Sequence, residues 1–98
     1  MLTVRTLPQF DAWLDSLRDG PTRQRLVAWL RKAQMGNLGD VKAVGHSVYE
    51  MREHFGPGWR MYYARRGRQV IVMLGGGEKS SQAKDIARAL RLAALLEE

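Results

Sequence analysis

Hydrophobic residues near the start of the chain recur with a helical period. Four of them fall at i, i+3, i+4 and i+7 and share one face of a helix: Phe10, Trp13, Leu14 and Leu17. Pro8 suits the first turn of this helix, because its missing N–H has no partner there, and Gly20 is expected to end it. Residues 2–5 come before it as a short stretch compatible with a β-strand.

A second helix is predicted directly after the first. Pro21 opens it, residues 36–37 (Gly-Asn) end it, and its hydrophobic face has the same spacing: Leu26, Trp29, Leu30 and Ala33. A joint of two or three residues between helices favours an antiparallel helical hairpin. Trp13 and Trp29 both fall on these stripes, so they are interpreted as core residues.

After Asp40 the pattern changes to that of strands, predicted at 41–44, 48–54, 59–64 and 69–74 and separated by glycine-containing turns. The last of these is apolar from Val70 to Leu74, which is typical of a strand inside a sheet with both faces at least partly covered.

A glycine run and a final helix complete the pattern. Gly75–Gly77 is interpreted as a flexible joint, and Ser80 or Ser81 can cap a helix whose apolar face is Ala83, Ile86, Leu90 and Ala94. The predicted order is β-α-α-β-β-β-β-α in one domain, residues 1–98. It corresponds to an α+β fold in two layers, with a helical hairpin packed on a mostly antiparallel twisted sheet.

Composition narrows the classes of partner. The net charge is +6, which favours a polyanion such as RNA, DNA or an acidic protein. There are no cysteines and only two histidines, so thiolate chemistry is excluded and a zinc site is not expected. No apolar run approaches the length of a membrane span, and no signal peptide is evident, so a cytoplasmic protein without membrane contact is expected.

Strand alternation predicts which side chains share a face. The core face holds Tyr49, Met51, Trp59, Met61 and Tyr63, and the open face holds Glu50, Arg52, His54, Arg60 and Tyr62. A turn centred on Gly56 puts Arg52 opposite Arg60, an unfavourable pairing that needs Glu50 or a bound anion to compensate it. The pair is therefore either a surface Arg–Glu cluster without function or a phosphate clamp.

The glycine run offers a second anion site. Residues 75–82 precede a helix N-terminus, whose free N–H groups attract anions, although the Walker pattern is not met. A plain hinge followed by a helix cap explains the same residues.

Three ordered blocks of sequence carry a family resemblance. They are residues 36–45 (Gly-Asn-Leu-Gly-Asp, then Lys42 and Gly45), residues 48–63 (Val-Tyr-Glu-Met-Arg, then Gly-Pro-Gly-Trp-Arg-Met-Tyr-Tyr) and residues 75–86 (Gly-Gly-Gly-Glu-Lys-Ser-Ser-Gln-Ala-Lys-Asp-Ile). From about residue 8 to residue 90, the chain resembles the addiction-module killer proteins related to phage-derived HigB-like toxins, within the RelE/ParE superfamily.

The resemblance implies a RelE-like microbial RNase fold and a type II toxin that arrests translation. RelE- and HigB-like members cleave messenger RNA on the ribosome as endoribonucleases (mRNA interferases), without a metal or cofactor. It also implies a cognate antitoxin, often a helix-turn-helix repressor, which carries the toxin to operator DNA. The motif positions fall on Arg52, Arg60, Lys79 and Gln82, while Trp59 stands where the family favours tyrosine.

Cleavage through the ribose 2′-OH needs a base, an acid and cations around the phosphorane. Arg52 and Arg60 are candidate cations, Lys79 could share in proton transfer, and Glu50 or His54 could be base or acid. Further candidate RNA contacts are Lys42, His46, Tyr62, Arg65 and Lys84. Charge complementarity suggests an antitoxin with an acidic contact surface.

Three other functions stay open at this point. A ParE-like relative would inhibit DNA gyrase without an RNase site. A non-enzymatic RNA- or ribosome-binding module would arrest translation and leave messenger intact. A degenerate toxin would survive only as the partner of its antitoxin repressor.

Overall fold

The computed structural model describes residues 1–96 as a mixed α+β protein with three helices and a five-stranded sheet. In chain order the elements are β1 (Thr3–Thr6), α1 (Pro8–Ser16), α2 (Gly20–Gln34), β2 (Val41–Gly45), β3 (Val48–Arg52), β4 (Arg60–Arg66), β5 (Val70–Gly77), a single 3-10 turn (Lys79–Ser81) and α3 (Gln82–Leu96). The elements follow one another in the predicted order. None of the helices in this part of the chain is both long and apolar enough to cross a membrane.

The boundary between the first two helices differs from the prediction. The helix α1 ends at Ser16, and Gly20 is the first residue of α2 rather than the end of α1. Asp19 is the N-cap of α2, because its carboxylate accepts a hydrogen bond from the Thr22 amide at 3.3 Å. The cap therefore decides the boundary, and Gly20 is not needed as a stop.

The sheet has the strand order β1-β5-β4-β3-β2 and is antiparallel except for the parallel pair β1 and β5. The mostly antiparallel character is as predicted. The apolar strand β5 lies between β1 and β4, which confirms its interior position in the sheet. In the β3–β4 pair, Arg52 is directly opposite Arg60, as the turn position predicted.

Helices cover both faces of the sheet, so the predicted two-layer sandwich with one open face is wrong. On the first face, buried residues of α1, α2 and the strands form one core: Phe10, Leu26, Ala33, Met51, Met61, Tyr63, Ile71 and Met73. On the second face, α3 packs against a separate core: Val48, Tyr62, Ala64, Val72, Leu74, Ala89 and Ala93. The apolar face of α3 needs such a partner, because an amphipathic helix is stabilised mainly by burying that face.

The glycine run is part of the sheet and not the predicted flexible joint. Gly75–Gly77 forms the end of β5 and pairs with the start of β4. A side chain at Gly76 would overlap the ring of Trp13, and one at Gly77 would overlap the carboxylate of Asp85. Helices α1 and α3 therefore approach the same strand from its two faces, at positions that only glycine can fill.

Candidate anion-binding site

Five of the predicted site residues meet where β3 ends and β4 begins, on the face that α3 covers: Glu50, Arg52, Arg60, Lys79 and Gln82. The N-terminus of α3 lies over Glu50, and the sheet continues past the helix toward Arg52. The site is therefore the uncovered end of an otherwise covered sheet face. It becomes more exposed along β3, from Glu50 to Arg52.

Glu50 is the buried anchor of this site. Its side chain has no exposed surface. The Oε2 atom accepts hydrogen bonds from Gln82 Nε2 at 2.8 Å and from the Tyr62 hydroxyl at 3.3 Å, and Arg60 Nε lies 3.6 Å away. One carboxylate thus connects β3, β4 and the first residue of α3. These partners explain how a charged residue can be buried in an interior strand, since buried charges need hydrogen bonds or ion pairs.

Tyr62 was predicted to lie on an open face of the sheet. It is instead fully buried under α3. Burial, and then the neighbouring Glu50 carboxylate, raise the pKa of Tyr62 far above its ordinary value. The hydroxyl stays protonated and donates to Glu50. The ring cannot stack on a nucleobase in this conformation, so its role here is to hold Glu50.

Arg60 is held in place by its neighbours. Its side chain is only 11% exposed, Nη1 donates to the Gly58 carbonyl at 2.7 Å, and Nε faces Glu50. Gly58 has a φ of +80°, and a side chain there would press on both Arg60 and Lys79. The turn before β4 therefore needs glycine for two reasons, its backbone conformation and the close approach of two cations.

A second cluster lies beside the first and centres on Asp40. Arg52 Nη2 contacts Asp40 Oδ1 at 3.0 Å, and His54 Nε2 contacts Asp40 Oδ2 at 2.6 Å. Hydrogen bonds from His54 and then Arg52 lower the pKa of Asp40 below its usual value. The carboxylate is therefore ionised at neutral pH. Within residues 1–96, no third carboxylate or imidazole joins this pair to form a metal-binding group.

Sequence reasoning missed Asp40, which lies just before β2. The backbone also ties it to the site, because the Arg52 amide donates to the Asp40 carbonyl at 2.9 Å. Asp40 and Arg52 lie close together only because of the register in which β2 pairs with β3. A prediction of the β2–β3 hairpin register could have found it.

Four other predicted RNA contacts are distributed more widely. Lys42 is exposed on β2 opposite Glu50, close to the site. His46 and Arg65 lie at the other end of β3, roughly 13 Å along the strand, where the Arg65 amide bonds Ser47. Lys84 is exposed on α3, two residues after Gln82, and so lies on the far side of that helix. The structure brings Lys42 to the site and separates the other three from it.

Fold and site define a small basic α+β protein with a cationic cluster at one uncovered end of its sheet. The chain belongs to the family described as phage derived protein Gp49-like (DUF891), whose model matches residues 12–94. An uncharacterized protein of Haemophilus influenzae is 35% identical to it over 92 residues, which cover 94% of this chain and 93% of that protein.

Proposed function

We propose that this protein is the toxin of a type II toxin–antitoxin module and acts as a ribosome-dependent mRNA endoribonuclease of the RelE/HigB type. The Gp49-like family is associated with the killer proteins of such modules. The RelE-like fold assignment is part of the proposal, and the mixed α+β arrangement of three helices and a five-stranded sheet supports it. The observation that carries the proposal is the placement of Arg52 opposite Arg60, with Lys79 close to Arg60 at the Gly58 turn.

The cluster suits the charge that develops during RNA cleavage. Attack of a 2′-oxygen on phosphorus produces a dianionic phosphorane, which preorganised cations stabilise more than they stabilise the substrate. Arginine is suited to this role because its planar N–H groups match phosphate oxygens. Glu50 and Gly58 keep Arg60 in one orientation, so little reorganisation of that side chain is needed when the charge appears.

The site offers few groups for proton transfer, which supports a dependence on the ribosome. Glu50 is buried beneath α3, so among the candidate groups His54 and Lys79 remain at the surface. In the proposed function the ribosome positions the messenger, because precise alignment can replace much of what missing catalytic groups would contribute. Weak or no cleavage of naked RNA is therefore expected, and the protein would act in the cytoplasm.

The proposed partner is a cognate antitoxin with an acidic surface and a helix-turn-helix domain. The basic balance of the chain supports an acidic partner by charge complementarity. Operator DNA would then be contacted only through that antitoxin. Binding of the antitoxin that does not weaken between low and high salt would contradict this part of the proposal.

The test is induced expression in a host without the antitoxin, with primer extension on several messengers. Wild type is compared with Arg52→Ala, with Arg60→Ala and with Arg68→Ala, whose arginine is exposed in the turn between β4 and β5. Growth arrest with new 5′ ends is expected for wild type and Arg68→Ala, and both effects should be lost in the other two variants. Circular dichroism confirms that the variants fold.

Any other result of the expression experiment would support a different function. Arrest with intact messenger would favour a non-enzymatic ribosome-binding module or a ParE-like gyrase inhibitor, which a supercoiling assay at micromolar protein separates. Absence of arrest with soluble wild type would point to a degenerate toxin that serves only its antitoxin.

A further inference from the structure

We propose that His54 is the catalytic residue that takes the proton from the ribose 2′-hydroxyl, and that Asp40 is the residue that positions it. This inference rests on the proposed function and assigns a role that function leaves open. It starts from the contact between Asp40 Oδ2 and His54 Nε2, at 2.6 Å.

The contact fixes the tautomer of the imidazole. An ionised carboxylate only accepts hydrogen bonds, so His54 Nε2 must carry the proton. In the neutral ring, Nδ1 is then the unprotonated nitrogen, and it can accept a proton. The His54 side chain is 74% exposed and that of Asp40 is 39% exposed. Asp40 therefore orients the imidazole ring, while the rest of the ring is accessible to a substrate.

The Asp40 carboxylate also connects His54 to Arg52, the cation that is proposed to bind phosphate. Asp40 holds Arg52 with one oxygen and His54 with the other. Glu50 and Arg52 lie on one face of β3, about 7 Å apart, and His54 follows two residues after the end of that strand, where it shares Asp40 with Arg52. A phosphate bound by Arg52 therefore has His54 on its exposed side and the buried Glu50 on the other.

Glu50 does not compete for this role. Its Oε2 atom already accepts from Gln82 and Tyr62 and faces Arg60, and no part of the side chain reaches the surface. A base must come within hydrogen-bond distance of the proton that it removes. Among the carboxylate and imidazole groups predicted for proton transfer, His54 meets that condition.

The proposed step conserves protons and bonds. His54 Nδ1 takes the 2′-hydroxyl proton while O2′ forms a bond to phosphorus. The bond from phosphorus to the 5′-oxygen breaks, and the Lys79 ammonium donates a proton to that oxygen. The products are a 2′,3′-cyclic phosphate and a 5′-hydroxyl, and the proton on His54 restores Lys79 through water.

The test measures single-turnover cleavage of messenger on programmed ribosomes, together with ribosome affinity. Because general base catalysis contributes about 10²- to 10⁴-fold, His54→Ala should lower the cleavage rate at least about 100-fold and change affinity less than about threefold. Arg68→Ala, at an exposed position in the turn between β4 and β5, is the control and should cleave at the wild-type rate.

Asp40→Asn tests the positioning role through its dependence on His54. The substitution should lower the cleavage rate when His54 is present and change it little in the His54→Ala background, because Asp40 acts through His54. A purely structural role of Asp40 would instead lower the rate by the same factor in both backgrounds.

The outcomes separate this inference from the proposed function. If His54→Ala cleaves programmed messenger as fast as wild type, the base assignment is wrong and the endoribonuclease proposal stands. If His54→Ala no longer binds the ribosome, His54 is a binding residue and the assignment is also wrong. If wild type itself leaves programmed messenger intact, both proposals fail together.

Discussion

At the scale of single residues, the buried carboxylate of Glu50 holds three side chains of the site: Arg60, Tyr62 and Gln82. Among residues 1–96, it is the one carboxylate that forms an ion pair with Arg60, which is itself mostly buried. Removal of one member of a buried ion pair leaves an uncompensated charge, and this costs more than the pair contributes. The stability of the site and its geometry therefore depend on the same atom.

We expect Glu50→Ala to lower the free energy of unfolding by about 3 kcal/mol, because Tyr62 and Gln82 lose their acceptor and Arg60 loses its ion-pair partner. Urea unfolding followed by circular dichroism measures the change. Asp15→Ala, at an exposed position of α1, is the control and should stay within about 0.5 kcal/mol of wild type. Equal effects of the two substitutions would contradict the anchor role.

The carboxyl group of Glu53 should make the stability of the protein depend on pH. Burial raises the pKa of Glu53, although Arg25 and Lys32 oppose the shift. A raised pKa in the folded state means that the charged form is disfavoured there, so stability is lost as pH rises through that pKa. Glu53→Gln should therefore be more stable than wild type at pH 7. The difference in melting temperature should disappear below about pH 4, where the unfolded carboxyl is also protonated. A constant difference at all pH values would show that ionisation is not the cause.

The sequence alone predicted Arg52 opposite Arg60, because alternation and the glycine turn together determine one register. The sequence could not predict the burial of Tyr62, because that depends on which face α3 covers, and no local pattern contains this information. The contact of Asp40 with Arg52 was missed because it depends on the register of the β2–β3 hairpin, which was not predicted.

At the scale of elements, the same distinction applies. The helices were predictable because their hydrophobic stripes are local, and the strands were predictable from alternation and turns. Gly75–Gly77 was interpreted as a hinge because glycine has low strand propensity. It is a strand because it pairs with the start of β4, and glycine is needed at positions 76 and 77 because Trp13 and Asp85 occupy the space where side chains would lie. Both are tertiary effects.

Two glycine substitutions test this explanation. Gly77→Ala should destabilise the protein by about 1–3 kcal/mol, because the new methyl group displaces the Asp85 carboxylate from the strand. Gly75→Ala is the matched control, since nothing lies within 4 Å of its added carbon, and it should change stability by less than about 0.5 kcal/mol. Urea midpoints of the two variants give the comparison. Similar values for both would mean that α3 does not depend on the absence of a side chain at position 77.

At the scale of the whole molecule, the net charge of +6 should appear as a strong salt dependence of RNA binding. Each phosphate contact to a single strand contributes about 0.7 to the slope of log affinity against log salt, so Arg52→Ala should reduce the slope by about that amount. Fluorescence anisotropy with a short single-stranded RNA measures it. Arg31→Ala, exposed on α2 at the other face, should leave the slope unchanged. A slope that responds equally to both variants would indicate diffuse attraction without a defined site.

The glycine residues at the end of β5, Gly75–Gly77, also connect the packing of the two faces of the sheet. The Trp13 side chain of α1 and the Asp85 side chain of α3 reach adjacent residues of this strand, Gly76 and Gly77, from its two faces. Asp85 is one turn along α3 from Gln82, and Gln82 holds Glu50. Because α1 and α3 pack against adjacent glycine positions of β5, and α3 supplies Gln82 to Glu50, the placement of the cationic cluster depends on the packing of both helices.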